Sequence, residues 1–231
     1  MTRLRLALIN AAHEAQDTSR NFRRELDADL AEFRAAQGEL PPDFDFDGIV
    51  VTGSRSSVYW DEEWIEPTKA WVGEALDRGL PALGICYGHQ LLADVLGGTV
   101  EDMGDYEIGY RTVQKTADSP LLADVDEEFL VFTTHSDTVS ELPPGATLIA
   151  ENDFGVHGFQ HGHVFGLQSH PEYDVETARA ITESKDLDEA KKRAVLDGIT
   201  EENYATASRS KRVFDNFLAY VREVRAERQA V

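Results

Sequence analysis

The order of elements read from the chain predicts an α/β protein: an open, mostly parallel sheet with helices on both faces, carrying extra antiparallel strands and C-terminal helices. Three observations carry that expectation. Short apolar runs alternate with helix-like segments as far as Leu96, residues from about 99 to 168 switch to strand-like segments divided by turn residues, and helical spacing returns from Val175 onward.

Arg3 to Ile9 reads as the first strand. After Asp17-Thr18-Ser19, Phe22, Leu26, Leu30 and Phe33 recur at helical spacing until Gly38, which predicts one amphipathic helix over that stretch. Pro41 and Pro42 mark a loop, and Phe46 to Gly53 is an apolar run closed by a Gly-Ser turn, as expected of a buried parallel strand. A helix with Pro67 in its first turn runs through Trp71 and Leu76 to Gly79. Pro81 to Ile85 is a third short strand, and Tyr87 to Leu96 a helix ending at Gly97-Gly98. Strands follow at Gly109 to Thr116, Phe129 to Thr134 and Thr147 to Glu151, then a hairpin pairs Val156–Gln160 with Val164–Gln168 across His161-Gly162-His163. In the terminal helix Val213, Phe217, Tyr220, Val221 and Val224 form one apolar stripe. No internal repeat and no Pro/Gly/Ser-rich linker interrupts the chain, so residues 1–231 are expected to form a single domain, with about 175–231 as a helical C-terminal extension.

The chain has 231 residues, 42% of them apolar, enough for a substantial core. Its apolar runs fall far short of the roughly 20 residues that span a bilayer, and Met1-Thr2-Arg3 leads straight into a strand, so a soluble, cytoplasmic protein without a membrane role is expected. The 43 acidic against 22 basic residues give a net charge of −21, which argues against unaided binding to nucleic acid. Lys is scarce beside Arg and the acids are scattered, a pattern that suits a halophilic protein kept soluble in high salt. A single cysteine excludes an internal disulfide and leaves Cys86 to be explained on its own.

Cys86 stands between a short strand and a helix in Gly84-Ile85-Cys86-Tyr87-Gly88-His89-Gln90, with glycine two residues away on each side. That is the spacing of a nucleophile elbow, in which side chains at the −2 and +2 positions would clash where strand and helix approach. The helix N-terminus aimed at the sulfur favours thiolate, and the Tyr87 backbone N–H is free to bind an oxyanion. A buried core thiol is the alternative reading of the same residue. A thiolate needs a proton shuttle, and His170-Pro171-Glu172 offers one with an orienting carboxylate. Pro171 biases His170 to an extended conformation, in which residues i and i+2 project to the same side. The turn Thr52 to Val58, at the end of the second strand, is placed to supply a second backbone donor.

These residues resemble the class I (triad type) glutamine amidotransferases, especially the glutaminase part of GMP synthase and its stand-alone relatives. The resemblance runs through Gly84 to Gln90, Thr134-His135-Ser136-Asp137-Thr138-Val139 and Gly166-Leu167-Gln168-Ser169-His170-Pro171-Glu172, in order, over about residues 45 to 175. It implies a flavodoxin-like glutaminase fold in which Cys86 attacks the side-chain amide of glutamine, His170 shuttles the proton and Glu172 orients it. It implies further that Ser54 and Tyr87 give the backbone oxyanion donors, and that Gly53, Gln90, His135, Ser136 and Asp137 surround the substrate. A pocket at the C-terminal ends of the parallel strands, lined by Gly53, Ser54, Cys86, Gln90, Ser136 and His170, is the expected location. The chain departs from the family pattern at Gly53-Ser54-Arg55, where relatives usually read Gly-Gly-Pro, and in the roughly 55 residues after Tyr173. The latter stretch and Ser57 to Trp64 look more like the stand-alone relatives, some of which hydrolyse γ-glutamyl peptides.

No cofactor is implied. The chain has no Gly-x-x-x-x-Gly-Lys phosphate loop and no Ser-Gly-Gly-rich ATP-pyrophosphatase signature, so a synthetase step is expected on a separate partner chain. The alternatives are a γ-glutamyl peptide hydrolase, a non-catalytic regulatory partner of a synthetase, and a cysteine-elbow protein acting on peptides or reactive carbonyls. No metal is expected: His157, His161 and His163 read as exposed imidazoles about a hairpin turn rather than as a cluster with His170. Asp43 to Asp47 lacks the distal Glu of a calcium loop and reads as an acidic loop into the second strand.

Overall fold

The computed structural model describes residues 3–230. The first half of the chain alternates strand and helix: β1 (Arg5–Asn10), α1 (Ala15–Glu25), β2 (Asp29–Arg34), β3 (Gly48–Val51), α2 (Ile65–Asp77), β4 (Ala82–Ile85) and α3 (Tyr87–Val95). Five further strands follow, β5 (Thr99–Lys115), β6 (Glu128–Glu141), β7 (Thr147–Asn152), β8 (Gly155–His161) and β9 (Val164–Leu167). The chain then turns helical in α4 (Val175–Ser184), α5 (Glu189–Gly198), α6 (Glu201–Ala207) and α7 (Arg212–Ala230).

All nine strands join one sheet in the order β2-β1-β3-β4-β9-β8-β7-β5-β6. The pairings from β2 through β9 are parallel, and those from β9 through β6 antiparallel. The centre is β9, which ends the hairpin and also closes the parallel set against β4. Every residue of β3, β4 and β9 is buried, as parallel strands covered on both faces must be. Their side chains alternate between two cores. Leu6, Leu8, Val50, Leu83, Ile85 and Phe165 face α1 and α7, whereas Ala7, Ile9, Ile49, Val51 and Ala82 face α2 and α3. The terminal stripe does pack into the first of these cores: Val213, Phe217 and Val221 are buried there, with Tyr220 against its edge.

The stretch expected to be one helix to Gly38 is instead helix then strand. α1 stops at Glu25, where the Leu26 N–H bonds the Phe22 carbonyl and the chain turns extended. Residues 29–34 then add a parallel edge strand beside β1. Leu30 packs against one core and Phe33 against the other. Residues three apart meet on one helix face but on opposite faces of a strand, so a chance spacing satisfied the helical period while a place at the sheet edge decided the structure. Gly38, at φ +78, still ends a helical piece, the short 3₁₀ turn Ala35–Gln37. The acidic stretch before β3 is a loop as expected, held by Arg5 on the Asp45 carboxylate and the Arg5 N–H on Asp47. Among the described residues, no helix is long and apolar enough to cross a membrane.

Phe217 of α7 is fully buried and meets Phe165 of the central strand edge to face, with ring centroids 6.4 Å apart. Phe217→Ala is expected to destabilise the fold by about 3–5 kcal/mol in reversible urea unfolding, because it leaves a cavity between the last helix and the sheet.

Candidate active site

The parallel strands end at one edge of the sheet, and the residues of interest follow directly: Thr52-Gly53-Ser54 after β3, Cys86 after β4, and Gln168-Ser169-His170 after β9. Cys86 has φ +54 and ψ −106, and it is one of two non-glycine residues with positive φ among the described residues. Backbone hydrogen bonds hold it there: its N–H donates to the Leu167 carbonyl at 2.8 Å and its carbonyl accepts from the Gln90 N–H at 3.1 Å. Both flanking glycines are required by contact. A Cβ on Gly84 would stand 2.3 Å from the Gly88 carbonyl oxygen, and one on Gly88 would stand 2.2 Å from that of Val51. The elbow therefore brings β4, α3 and β3 to backbone contact, leaving the sulfur at the head of α3.

Cys86 is 5% exposed and His170 4%. The His170 Nδ1 lies 2.7 Å from Glu172 Oε1, so the carboxylate fixes the ring and Nε2 is left for the sulfur. Burial pushes the His170 pKa down, but the charges of Glu172 and Cys86, together with hydrogen bonds to both, outweigh it and raise the pKa to about 10. The ring stacks on Tyr173 at 4.2 Å between centroids. The His170 N–H donates to the Phe132 carbonyl of β6 at 2.8 Å, and Arg24 donates to the Glu172 carbonyl at 2.5 Å and to Asp174 at 2.6 Å. The extended turn at Pro171 thus puts His170 and Glu172 on one side, as the sequence predicts.

The loop after β3 lies against this pair: a Cβ on Gly53 would meet His170 Cε1 at 2.9 Å and Cys86 Cβ at 3.7 Å. Ser54 follows, its hydroxyl accepting from the Ser56 N–H at 3.2 Å. Side chains tie the loop down without the proline of relatives. Ser56 bonds His13 at 2.8 Å and Glu62 at 3.0 Å, Trp64 Nε1 donates to Glu62 at 2.5 Å, and Ser57 and Tyr59 both donate to the Asp137 carboxylate.

β6 supplies the facing wall. Although β6 is the last strand in the sheet order, its Thr134 carbonyl lies 3.8 Å from the Cys86 sulfur, and its Asp137 carbonyl accepts from Gln90 Nε2 at 3.0 Å. Gln90 spends its other amide hydrogen on Gln168 Oε1 at 3.1 Å. Ser136 is half-buried, whereas His135 and Asp137 on either side point inward. His135 Nδ1 lies 2.8 Å from the Asp137 carbonyl and Nε2 lies 2.6 Å from Glu107 Oε2. The structure thus gathers Gly53, Ser54, Cys86, Tyr87, Gln90, His135, Ser136, Asp137, His170 and Glu172 at one edge of the sheet. Glu107, Tyr59, Tyr173 and Arg24 join them, none carrying a motif that marks it; the one available signal is the apolar setting of Glu107 in Glu107-Ile108-Gly109-Tyr110.

The reading of His157 as an exposed imidazole is overturned. It is buried beside His135 with Nε2 3.0 Å from Glu107 Oε2, because β8 turns it inward where His161 and His163 stay at the surface. His163 instead meets the Tyr220 hydroxyl at 2.8 Å, so the four imidazoles do not converge. The ligand-type atoms of Glu107, His135 and His157 lie within 4.8 Å of one another, but the 2.6 and 3.0 Å contacts are those of N–H···O hydrogen bonds. A surface cleft of about 820 Å³ includes neither Cys86 nor His170; it is a trough of ion pairs such as Lys211 with Glu25 and Arg212 with Asp124.

Comparisons with known proteins bear on the family and the fold. The chain is 40% identical to a GMP synthase (glutamine-hydrolysing) of Thermomicrobium roseum over 54% of its own length and 23% of that protein's. It is 33% identical to gamma-glutamyl peptidase 5 of Arabidopsis thaliana over 62% of each chain. The chain thus spans about a quarter of the GMP synthase it matches and under two thirds of the peptidase. Its fold is that of a glutamine amidotransferase from Thermotoga maritima, with a TM-score of 0.77 at 24% identity over 94% of this chain and 99% of that one. The structure of a putative GMP synthase component from Thermoplasma acidophilum superposes with a TM-score of 0.71 at 21% identity over 99% of both chains. The family model for class-I glutamine amidotransferases matches residues 17–186, well over half of the chain, and the protein belongs to that family.

Proposed function

We propose that the chain hydrolyses the side-chain amide of glutamine through a γ-glutamyl thioester on Cys86, releasing glutamate and ammonia. The observation that carries this reading is Cys86, held at positive φ at the head of a helix, beside a His170 whose other nitrogen is fixed by Glu172. The raised His170 pKa favours a thiolate–imidazolium pair at neutral pH. The sulfur attacks the amide carbon, and the oxyanion is received by the Tyr87 and Ser54 backbone N–H groups. His170 gives its proton to the amide nitrogen, the C–N bond breaks and ammonia leaves. His170 then takes a proton from water, which attacks the thioester, and the C–S bond breaks to release glutamate and restore the thiolate.

Gly53, Gln90, His135, Ser136 and Asp137 are assigned to the binding of the substrate α-groups. Because both Gln90 amide hydrogens are spent on protein acceptors, the group it has left is Oε1, which suits an α-ammonium rather than a carboxylate. The His135 and Asp137 side chains are committed within the protein, so they act by framing the wall, and Ser136 between them is the half-exposed one.

Ammonia is assigned to an acceptor on a separate synthetase chain, a reading suggested by the GMP synthases among its relatives. The gamma-glutamyl peptidase relative, matched over 62% of each chain, favours a second reading in which γ-glutamyl peptides are cleaved without a synthetase. The net charge of −21 calls for assays in molar salt.

Ammonia release from glutamine is expected to exceed release of amine from γ-glutamyl dipeptides in kcat/KM; the reverse order establishes the peptidase. Cys86→Ala is expected to lower kcat by at least about 10³-fold without loss of the cooperative unfolding transition, and full retention of biological output in that variant would instead indicate a non-catalytic partner. The pH dependence follows from His170. Its folded pKa is raised, so the stability gained from its proton is complete below the unfolded value of about 6.5. That stability is lost as pH rises through about 10. The leaving group needs the same proton, so kcat/KM should hold through neutral pH and fall on an alkaline limb near about 10, and Glu172→Gln should move that limb to lower pH.

A further inference from the structure

Behind the β6 wall lies a charged group that the proposed reaction does not touch. Glu107, on β5, is fully buried, and its Oε2 receives His135 Nε2 at 2.6 Å, His157 Nε2 at 3.0 Å and the Thr133 hydroxyl at 3.5 Å. Its Oε1 takes Asn152 Nδ2 at 2.7 Å, with Arg111 Nε 3.9 Å away. Burial pushes the Glu107 pKa up, but the hydrogen bonds from His135 and His157 outweigh it and hold the carboxyl well below the usual carboxylate range.

An ionised carboxylate has no proton to give, and neither has a backbone carbonyl. His135 faces one of each: Glu107 Oε2 at Nε2 and the Asp137 carbonyl at Nδ1, at 2.6 and 2.8 Å. A neutral imidazole carries one N–H and one bare lone pair, and the bare nitrogen would repel either acceptor at that distance. Both nitrogens thus face acceptors, a pattern that a ring with hydrogen on each nitrogen satisfies and a neutral ring does not. His157 meets Glu107 through Nε2 alone, and its Nδ1 meets no hydrogen-bond partner. His89, on the α3 side, is pushed down to about 3 by burial and then by His157 and His135, so it brings no competing charge.

The Nδ1 contact of His135 ends on the residue that organises the wall. The Asp137 carbonyl takes both His135 Nδ1 and Gln90 Nε2, while the Asp137 carboxylate takes Ser57 and Tyr59 from the loop that begins at Gly53. One buried residue thus connects the interior charge to α3 and to the loop across the site.

We propose that Glu107 is a positioning residue for the Cys86 reaction: by keeping His135 doubly protonated it fixes the Asp137 peptide, and through it Gln90 and the Ser57–Tyr59 segment, in the arrangement that receives the glutamine α-groups. This rests on the reading of Cys86 as a glutaminase nucleophile. Glu107→Gln keeps the shape and removes the charge. A carboxamide cannot serve as counter-ion, so His135 keeps one ring hydrogen; with the carboxamide oxygen accepting from Nε2–H, Nδ1 is bare against the Asp137 carbonyl and the wall loses its anchor.

The test joins a spectroscopic and a kinetic reading on the full chain. In the ¹⁵N-labelled wild type, both His135 ring nitrogens should report attached protons at about pH 8, where an ordinary imidazole is neutral. Glu107→Gln should lose one of these protons and raise KM for glutamine by about tenfold or more, with a smaller change in kcat. Alkylation of Cys86 by iodoacetamide, which needs no glutamine pocket, should stay within about twofold of wild type, and Glu107→Asp, which keeps the charge, should recover part of the loss in KM. A bare ring nitrogen on wild-type His135, unchanged kinetics in Glu107→Gln, or an equal loss of alkylation and glutamine turnover overturns the positioning role. Should Glu107→Gln fail to fold, the wild-type ring protonation and the KM of Glu107→Asp decide alone. A wild type that alkylates at Cys86 but releases no ammonia from glutamine refutes the glutaminase reading itself, and the positioning role with it.

Discussion

The constraint on which the site depends is the close approach of three backbones around Cys86. Strand β4 reaches its last residue, turns through a positive φ and becomes α3 without an intervening loop, and the helix passes so near β3 that Gly88 has no room for a Cβ beside the Val51 carbonyl. A left-handed φ costs an L-residue on the order of 1–2 kcal/mol, and the surrounding sheet must supply it. It does so through β9, whose Leu167 carbonyl holds the Cys86 N–H. The sheet has to form with β4 and β9 side by side before the sulfur has a fixed direction.

The same adjacency delivers the rest of the chemistry. Because β9 runs parallel to β4, its C-terminal end opens at the same edge, and His170 follows three residues later. The antiparallel half of the sheet, which is not needed to make the elbow, contributes the facing wall. There the β5–β6 pair presents the Thr134 and Asp137 carbonyls to Cys86 and Gln90. Parallel strands thus carry the reacting groups, and the antiparallel ribbon, backed by the buried Glu107, carries the groups that frame a substrate.

What was legible in the sequence was what short-range geometry dictates. Glycines at 84 and 88 announce an elbow because only a missing Cβ allows it, and Pro171 between His170 and Glu172 announces a shared side because an extended dipeptide has no other choice. The strands β1, β3 and β4 were legible as short apolar runs. Leu30 and Phe33 misled because their spacing fits a helix, while the pairing partner that makes them a strand, β1, lies some 20 residues earlier in the chain. Glu107 and His157 were opaque for the same reason: a carboxylate and an imidazole on different strands acquire a charge relation only when the sheet brings them to 3.0 Å. Tyr59 and Asp137, 3.0 Å apart in space, are 78 residues apart in sequence.

The most direct test of the central claim, that Cys86 and His170 form an assembled glutaminase site, is intact mass after exposure to a glutamine-mimicking electrophile such as 6-diazo-5-oxo-L-norleucine in molar salt. One adduct per chain is expected, mapped to Cys86, suppressed by free glutamine and absent from Cys86→Ala. An adduct elsewhere, or none on Cys86 while iodoacetamide still alkylates it, would contradict that claim.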